Sequence, residues 1–250
     1  MHGSMSIAWW SRRARRLWAV YQDLGLRAVL SRVLRRLLQL VGADEQQHAR
    51  WLRKKQVADT EFDSLFGTVT GGIDEIFDLS VTGENSRYGL SHIATDPSEF
   101  RQMIDALALD LSSFTFVDLG CGKGRALILA AQLPFRQIIG VEFAKEFIDV
   151  AQSNLERAAQ RAEAKSPVTL VWADAAKFEY PDGPVLIYLF NPFGSKVIRQ
   201  VAANARGLWE RQKRPVIVLY MNAVHLQEFL DEGWSVIQRG AGWSRLECRS

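Results

Sequence analysis

The sequence predicts an α/β fold: a doubly wound, mostly parallel seven-stranded sheet with helices on both faces, plus a helical N-terminal extension. Three observations carry that expectation. Residues 116–131, FVDLGCGKGRALILAA, read as a short apolar strand, an acid, glycines at 120, 122 and 124, and then the start of a helix. Gln137–Glu142, QIIGVE, is a second apolar strand that ends on a carboxylate 24 positions beyond Asp118. Strand and helix patterns then alternate almost to the end of the chain, the sequence signature of βαβ units.

The chain opens with a basic arm. Residues 1–55 hold twelve Lys/Arg against three Asp/Glu, whereas residues 56–250 hold nineteen against twenty-five, so a net charge of +3 conceals an acidic body. Leu26, Leu30, Val33, Leu37 and Val41 recur at helical spacing with Arg27, Arg32, Arg35 and Arg36 between them, which predicts an amphipathic basic helix. Arginine interrupts every long apolar run, so this helix does not span a bilayer. Three roles suit it: docking on the main domain, lying on an anionic membrane surface through residues 7–41 with Trp9, Trp10 and Trp18 at the interface, or presenting charge to nucleic acid. Docking is favoured and nucleic acid comes last. An Arg-rich, acid-poor amino end also matches an organelle-targeting peptide. Two cysteines, Cys121 and Cys248, and four scattered histidines give neither a disulfide framework nor a metal-ligand cluster. A reducing, cytoplasmic setting and no metal are the expectations, with peripheral membrane attachment as an alternative.

Residues 56–113 read as a helical and loop lead-in, broken by Gly67, Gly71, Gly72 and Gly83 into short pieces that cap a ligand pocket. Pro97, with Asp96 as N-cap, starts a helix whose apolar face is Phe100, Met103, Ile104 and Leu107. Residues 114–250 form the core domain. After the first two strands come a long helix over 144–164, a strand at Val168–Trp172, and an almost wholly apolar, central strand over 184–190. A fifth strand over 215–220, a helix over 223–230 and an antiparallel pair at 235–238 and 244–247, separated by Gly240 and Gly242, close the sheet.

The first turn carries the chemistry. Gly120, Gly122 and Gly124 permit a tight turn and a close ligand approach where a Cβ would clash. The spacing is GxGxG, unlike the GxGxxG of dinucleotide sites, and Asp118 precedes it. That carboxylate repels a pyrophosphate and attracts a ligand bearing an ammonium and a sulfonium, which points to S-adenosylmethionine (SAM). Glu142 then stands where a second-strand acid accepts hydrogen bonds from ribose hydroxyls. The strand over 184–190 runs into Asn191-Pro192-Phe193-Gly194, beside the transferable methyl if ligands sit beyond the carboxyl ends of the strands. Asn191 offers a side-chain oxygen and a main-chain carbonyl to orient an attacking amine. Pro192 stiffens that backbone, and Phe193 offers a π-face to the sulfonium or the amine.

These segments together resemble the class I SAM-dependent methyltransferases over roughly residues 85–248. The resemblance implies that Asp174 accepts from the adenine amine, with Phe143 and Trp172 or Ala175 packing on the ring; capping a helix is the alternative use of Asp174. Asn191-Pro192-Phe193-Gly194 resembles the NPPY-type motif of nitrogen methyltransferases, with phenylalanine in place of the second proline. The GCGKGR loop, containing Cys121, and Gly140-Val141-Glu142 look like those of non-SET protein-lysine methyltransferases. In that group a tyrosine upstream of the first strand helps enclose SAM, which makes Tyr88 a candidate. Nitrogen methylation is the expected reaction and protein lysine the favoured acceptor, its pKa lowered in an aromatic surround of Phe193 and Tyr188 or Tyr220. Small-molecule or nucleic-acid N-methylation, and a SAM-binding, membrane-associated scaffold without turnover, are the alternatives. Lys123 and Arg125 have no assigned partner; acids on neighbouring elements or an acidic partner would serve.

Overall fold

The computed structural model describes residues 45–74 and 92–248. The amphipathic stretch over 7–41 and Tyr88 lie outside the described residues. By its contacts the chain divides into Met1–Lys54 and Lys55–Ser250, and the second unit holds the sheet. Helix α1, Glu45–Phe66, runs unbroken through the expected boundary at residue 55. The start of the lead-in, up to residue 66, is part of this one helix, because 45–66 contains no glycine or proline. Breakage begins at Gly67, whose φ of 70° ends the helix.

A two-residue antiparallel pair, β1 (Ile73–Asp74) and β2 (His92–Ile93), comes next. Helix α2 (Pro97–Asp105) is capped as the sequence predicts, with Asp96 accepting from the Ser98 and Glu99 amides. Then come β3 (Thr115–Leu119), α3 (Arg125–Ala131), β4 (Gln137–Glu142), α4 (Lys145–Ala159) and β5 (Val168–Trp172). The chain continues through β6 (Val185–Phe190), α5 (Ser195–Gln212), β7 (Val216–Met221), α6 (Leu226–Asp231), β8 (Trp234–Gly240) and β9 (Trp243–Cys248). Helices α4 and α6 are shorter than their sequence patterns suggest, and the closing strands are longer.

The sheet has seven strands in the order β5-β4-β3-β6-β7-β9-β8. The pairs from β5 to β7 are parallel, and β9 joins β7 and β8 antiparallel. Strand order thus reverses direction at β3, between β4 and β6. Crevices at such switch points, beyond the carboxyl ends of the strands, are where open α/β sheets bind ligands. The two faces are covered by different helices. Val117, Leu119, Ile187 and Val218 pack toward Val197, Val201 and Ala205 of α5, while Phe116, Ile138 and Tyr188 pack toward Phe100 of α2 and Leu127 of α3. Alternation along each strand supplies both faces. A third, outer layer forms where Phe62 and Phe66 of α1 pack on Ile128 and Ala158.

Gly140 holds α3 close to the sheet. A Cβ there would lie 2.4 Å from Leu127 Cδ1 and 3.0 Å from Cys121 Sγ. Gly140→Ala is therefore expected to destabilise the protein by about 1–3 kcal/mol through overpacking, read as a lower urea midpoint at an unchanged slope.

Candidate active site

The glycine turn is built by backbone bonds to the neighbouring strand. Gly120 and Cys121 N–H both donate to the Val141 carbonyl, at 2.8 and 3.1 Å, and Gly124 N–H donates to the Cys121 carbonyl at 2.9 Å. Gly120, Gly122 and Gly124 have φ of 81°, 52° and 86°, values costly for any residue with a Cβ. Gly120 serves a second purpose, because a Cβ on it would stand 2.5 Å from Pro192 Cβ. The turn after β3 and the tetrapeptide after β6 are thus in direct contact, although 72 positions separate Gly120 from Pro192.

Between them opens a cleft. Asp118, Gly120, Cys121, Gly122, Glu142, Phe143, Pro192 and Phe193 line it, all expected from the sequence. Ile93, Thr95, Arg125, Phe147 and Phe190 also line it. Sequence reasoning missed these, since only Arg125 and Phe190 adjoin a motif. Tyr188 closes the floor, fully buried, with its hydroxyl 3.0 Å from Thr95 Oγ1. Burial pushes that phenol well above its ordinary pKa, so it stays neutral.

Two buried acids face this space. Glu142 is held by the turn it supports: Gly122 N–H donates to Oε2 at 3.0 Å, and Phe143 and Ala144 N–H donate to Oε1 at 2.9 and 3.0 Å. Burial raises its pKa, and these three donors act in the opposite direction. A carboxylate accepts about four hydrogen bonds, which leaves one acceptor position, on Oε2. Asp118 is different. It is 3% exposed, its carboxylate receives no hydrogen bond among the described residues, and burial, with the Glu142 charge, drives its pKa well above the usual carboxylate range. Cys121 is buried too, and its thiol pKa is raised by burial and by both acids, so it is a packing residue and not a nucleophile.

A buried, unpartnered carboxylate beside a second acid, in a cradle shaped by three positive-φ glycines, fits a ligand that carries positive charge. SAM meets that requirement and a pyrophosphate does not. Other expected residues sit elsewhere. Asp174 Oδ1 accepts the Ala176 amide at 2.9 Å and caps the 3₁₀ turn Ala175–Lys177. Ala175 is 3% exposed, in the core against α5. Neither lines the cleft. Trp172 is half exposed and donates from Nε1 to the Phe143 carbonyl at 2.9 Å. Asn191 has φ 43°, and its Oδ1 accepts from Tyr220 OH at 3.4 Å, so this amide turns toward β7 and does not line the cleft. Among the described residues no group of three His, Cys, Asp or Glu is placed to hold a metal ion, and no helix is long and apolar enough to cross a membrane.

Residues 116–212 match the family model described as a methyltransferase domain. No curated protein matches the chain. Among solved structures, the magnesium protoporphyrin IX methyltransferase of Synechocystis PCC 6803 with bound SAM is similar at 17% identity, over 60% of this chain and 74% of that one, with a TM-score of 0.45. A predicted N6-adenine-specific DNA methylase of Listeria monocytogenes is similar at 14% identity, over 62% and 51%, with a TM-score of 0.48. The ribosomal protein L11 methylase of Lactobacillus delbrueckii subsp. bulgaricus is similar at 14% identity, over 60% and 76%, with a TM-score of 0.42.

The ionised form of Asp118 costs the ligand-free protein stability. Because folding raises its pKa, the unfolded chain gives up this proton first. Its contribution is therefore complete below the unfolded value, about 3.9, and is lost as pH rises toward the folded pKa. Asp118→Asn should raise the melting temperature at neutral pH, roughly 2–4 °C for each 1 kcal/mol recovered, and flatten the decline in stability as pH rises above the unfolded value in calorimetry.

Proposed function

We propose that this chain, a class I SAM-dependent methyltransferase, moves its methyl group to a nitrogen acceptor, a protein lysine. The observation that carries the proposal is the Gly120–Pro192 approach, which sets residues 191–194 against the cofactor turn. In this reading Asp118 faces the ammonium of the cofactor's methionine end, with Gly120, Cys121, Gly122 and Gly124 as the cradle. Glu142 uses its one remaining acceptor position for a ribose hydroxyl. A second ribose bond requires release of an amide. Phe143 and Trp172 flank the adenine, and Asp174 accepts from its amine while keeping its cap, since a carboxylate accepts about four hydrogen bonds.

When bound, SAM supplies an electrophilic methyl on a sulfonium. The acceptor nitrogen contributes the lone pair, the carbon–sulfur bond breaks, and the nitrogen's surplus proton passes to solvent. The chain's task is alignment, which by itself can be worth effective molarities of about 10⁵–10⁸ M. Carbonyls at 191 and 192 orient the acceptor N–H groups, and the Asn191 side chain acts from behind by positioning the backbone that presents them. Tyr220 fixes the Asn191 amide. Phe193, 5% exposed, shows the cleft little of its ring and acts mainly by closing the wall. Phe143, Phe147 and Phe190 make the cleft apolar enough to favour the neutral amine.

Lysine is favoured over a nucleic-acid base by charge. Residues 56–250 carry an excess of acids, nineteen Lys/Arg against twenty-five Asp/Glu, which repels a polyanion and attracts a basic protein segment. The division into 1–55 arm, 56–113 lead-in and 114–250 catalytic core is kept in this proposal, with the arm serving to dock or to meet a membrane.

Four outcomes test the assignment. SAM affinity should fall as pH drops through the raised Asp118 pKa, because only the ionised carboxylate pairs with an ammonium. Titration calorimetry in buffers of different ionisation enthalpy should show proton release on binding, abolished in Asp118→Asn; equal proton release in both would remove Asp118 from the site. Incubation of cell fractions with labelled SAM should place label on protein lysines in intact-mass and peptide analysis. Asn191→Ala should cut transfer about 10²-fold or more with SAM affinity nearly unchanged. Label recovered only in nucleic acid or small molecules would overturn the lysine reading.

A further inference from the structure

We propose that the segment over 59–72, together with Asn154, is a rear strut that holds the cofactor turn in its binding shape, the segment gripping Arg125 and Asn154 gripping the Lys123 carbonyl. Arg125 follows the third glycine, and its side chain is 2% exposed. Nη1 donates to Asp59 Oδ1, Nε donates to Thr70 Oγ1 at 2.7 Å, and the guanidinium lies 4.7 Å from the Phe62 ring centroid. Asp63, one helical turn beyond Asp59, gathers the next loop. Its Oδ1 accepts from the Thr68 and Thr70 hydroxyls, both at 2.7 Å, and from the Thr70 amide at 2.9 Å, and its Oδ2 accepts from the Gly71 amide at 2.9 Å.

A second tie runs beside the first. Asn154 of α4, 1% exposed, accepts the Val69 amide on Oδ1 at 2.9 Å and donates from Nδ2 to the Lys123 carbonyl at 3.0 Å. One amide side chain thus bridges the strut to the cofactor turn. Lys123 Nζ adds a bond to the Gly71 carbonyl at 3.3 Å. Phe62 and Phe66 meanwhile pack on α3 and α4, on the side of those helices away from the sheet. The strut therefore supports the turn from behind and does not open and close over the cleft.

The ties determine the shape of the turn. Positions 120, 122 and 124 all have positive φ, so glycine freedom must be restrained by its surroundings. Lys123 and Arg125, the residues flanking the third glycine, are both held by the strut. Because the restraint acts on the turn that cradles SAM, cofactor binding and strut docking are coupled, and the coupling is reciprocal. The inference holds whichever acceptor is methylated.

The test uses full-length protein, SAM titration and hydrogen exchange. Thr70→Val and Asn154→Ala, neither of which lines the cleft, should weaken SAM binding at least tenfold, whereas Thr70→Ser should restore it by returning the hydroxyl. Arg161→Ala is the control, because Arg161, just beyond the end of α4, bonds the same segment through the Ser64 carbonyl at 2.8 Å without touching the turn; it should lower the melting temperature and leave SAM affinity unchanged. In the wild type, SAM should slow amide exchange at 68–72. Unaltered SAM affinity in folded Thr70→Val and Asn154→Ala would overturn the proposal. So would exchange at 68–72 that ignores saturating SAM.

Discussion

Two carboxylates buried at the ends of adjacent parallel strands are the constraint on which the site depends. Removing one charge from water costs several kcal/mol unless it is paired or hydrogen-bonded. Glu142 meets that demand with three backbone amides, one of them from the glycine turn, so the turn and the acid stabilise each other. Asp118 does not meet it. Its pKa stands well above the usual range, and the ligand-free protein keeps an unfavourable group that a cationic ligand relieves. A cofactor with an ammonium and a sulfonium is the natural complement.

The rest of the architecture keeps this pair in place. Sheet order puts β3 at the switch point, and the parallel register sets Asp118 beside Tyr188 of β6. Tyr188 in turn bonds Thr95, which brings the segment after β2 to the cleft wall. Gly120 permits Pro192 to approach, so the end of β6 meets the turn from the other side. Behind the turn, Arg125 and Asn154 fasten α1 and its following loop. The cleft is bounded by segments from four regions of the chain, and each is fixed by a bond to the turn or to its flanking strands.

Much of this was legible because it is local. Period-two apolar runs, an acid at each strand end and glycines at alternate positions are short-range patterns, and they specified the sheet, the turn and both acids. Asp96 was equally readable, since an N-cap needs only its own next few residues. What was not legible was of two kinds. The orientations of the Asp174 and Asn191 side chains are one: the first caps a 3₁₀ turn and the second accepts from a tyrosine hydroxyl of the next strand. Those outcomes depend on competing partners that the sequence does not rank. Arg125 shows the second kind, because its acid lies 66 positions upstream on a helix whose docking no periodicity reveals.

A crystal structure of the full chain with S-adenosylhomocysteine tests the central claim most directly. The account predicts the ligand's ammonium on the Asp118 carboxylate, a ribose hydroxyl on Glu142 Oε2, and the sulfur facing residues 191–194. A ligand whose ammonium is held elsewhere while Asp118 stays buried and uncontacted would contradict it.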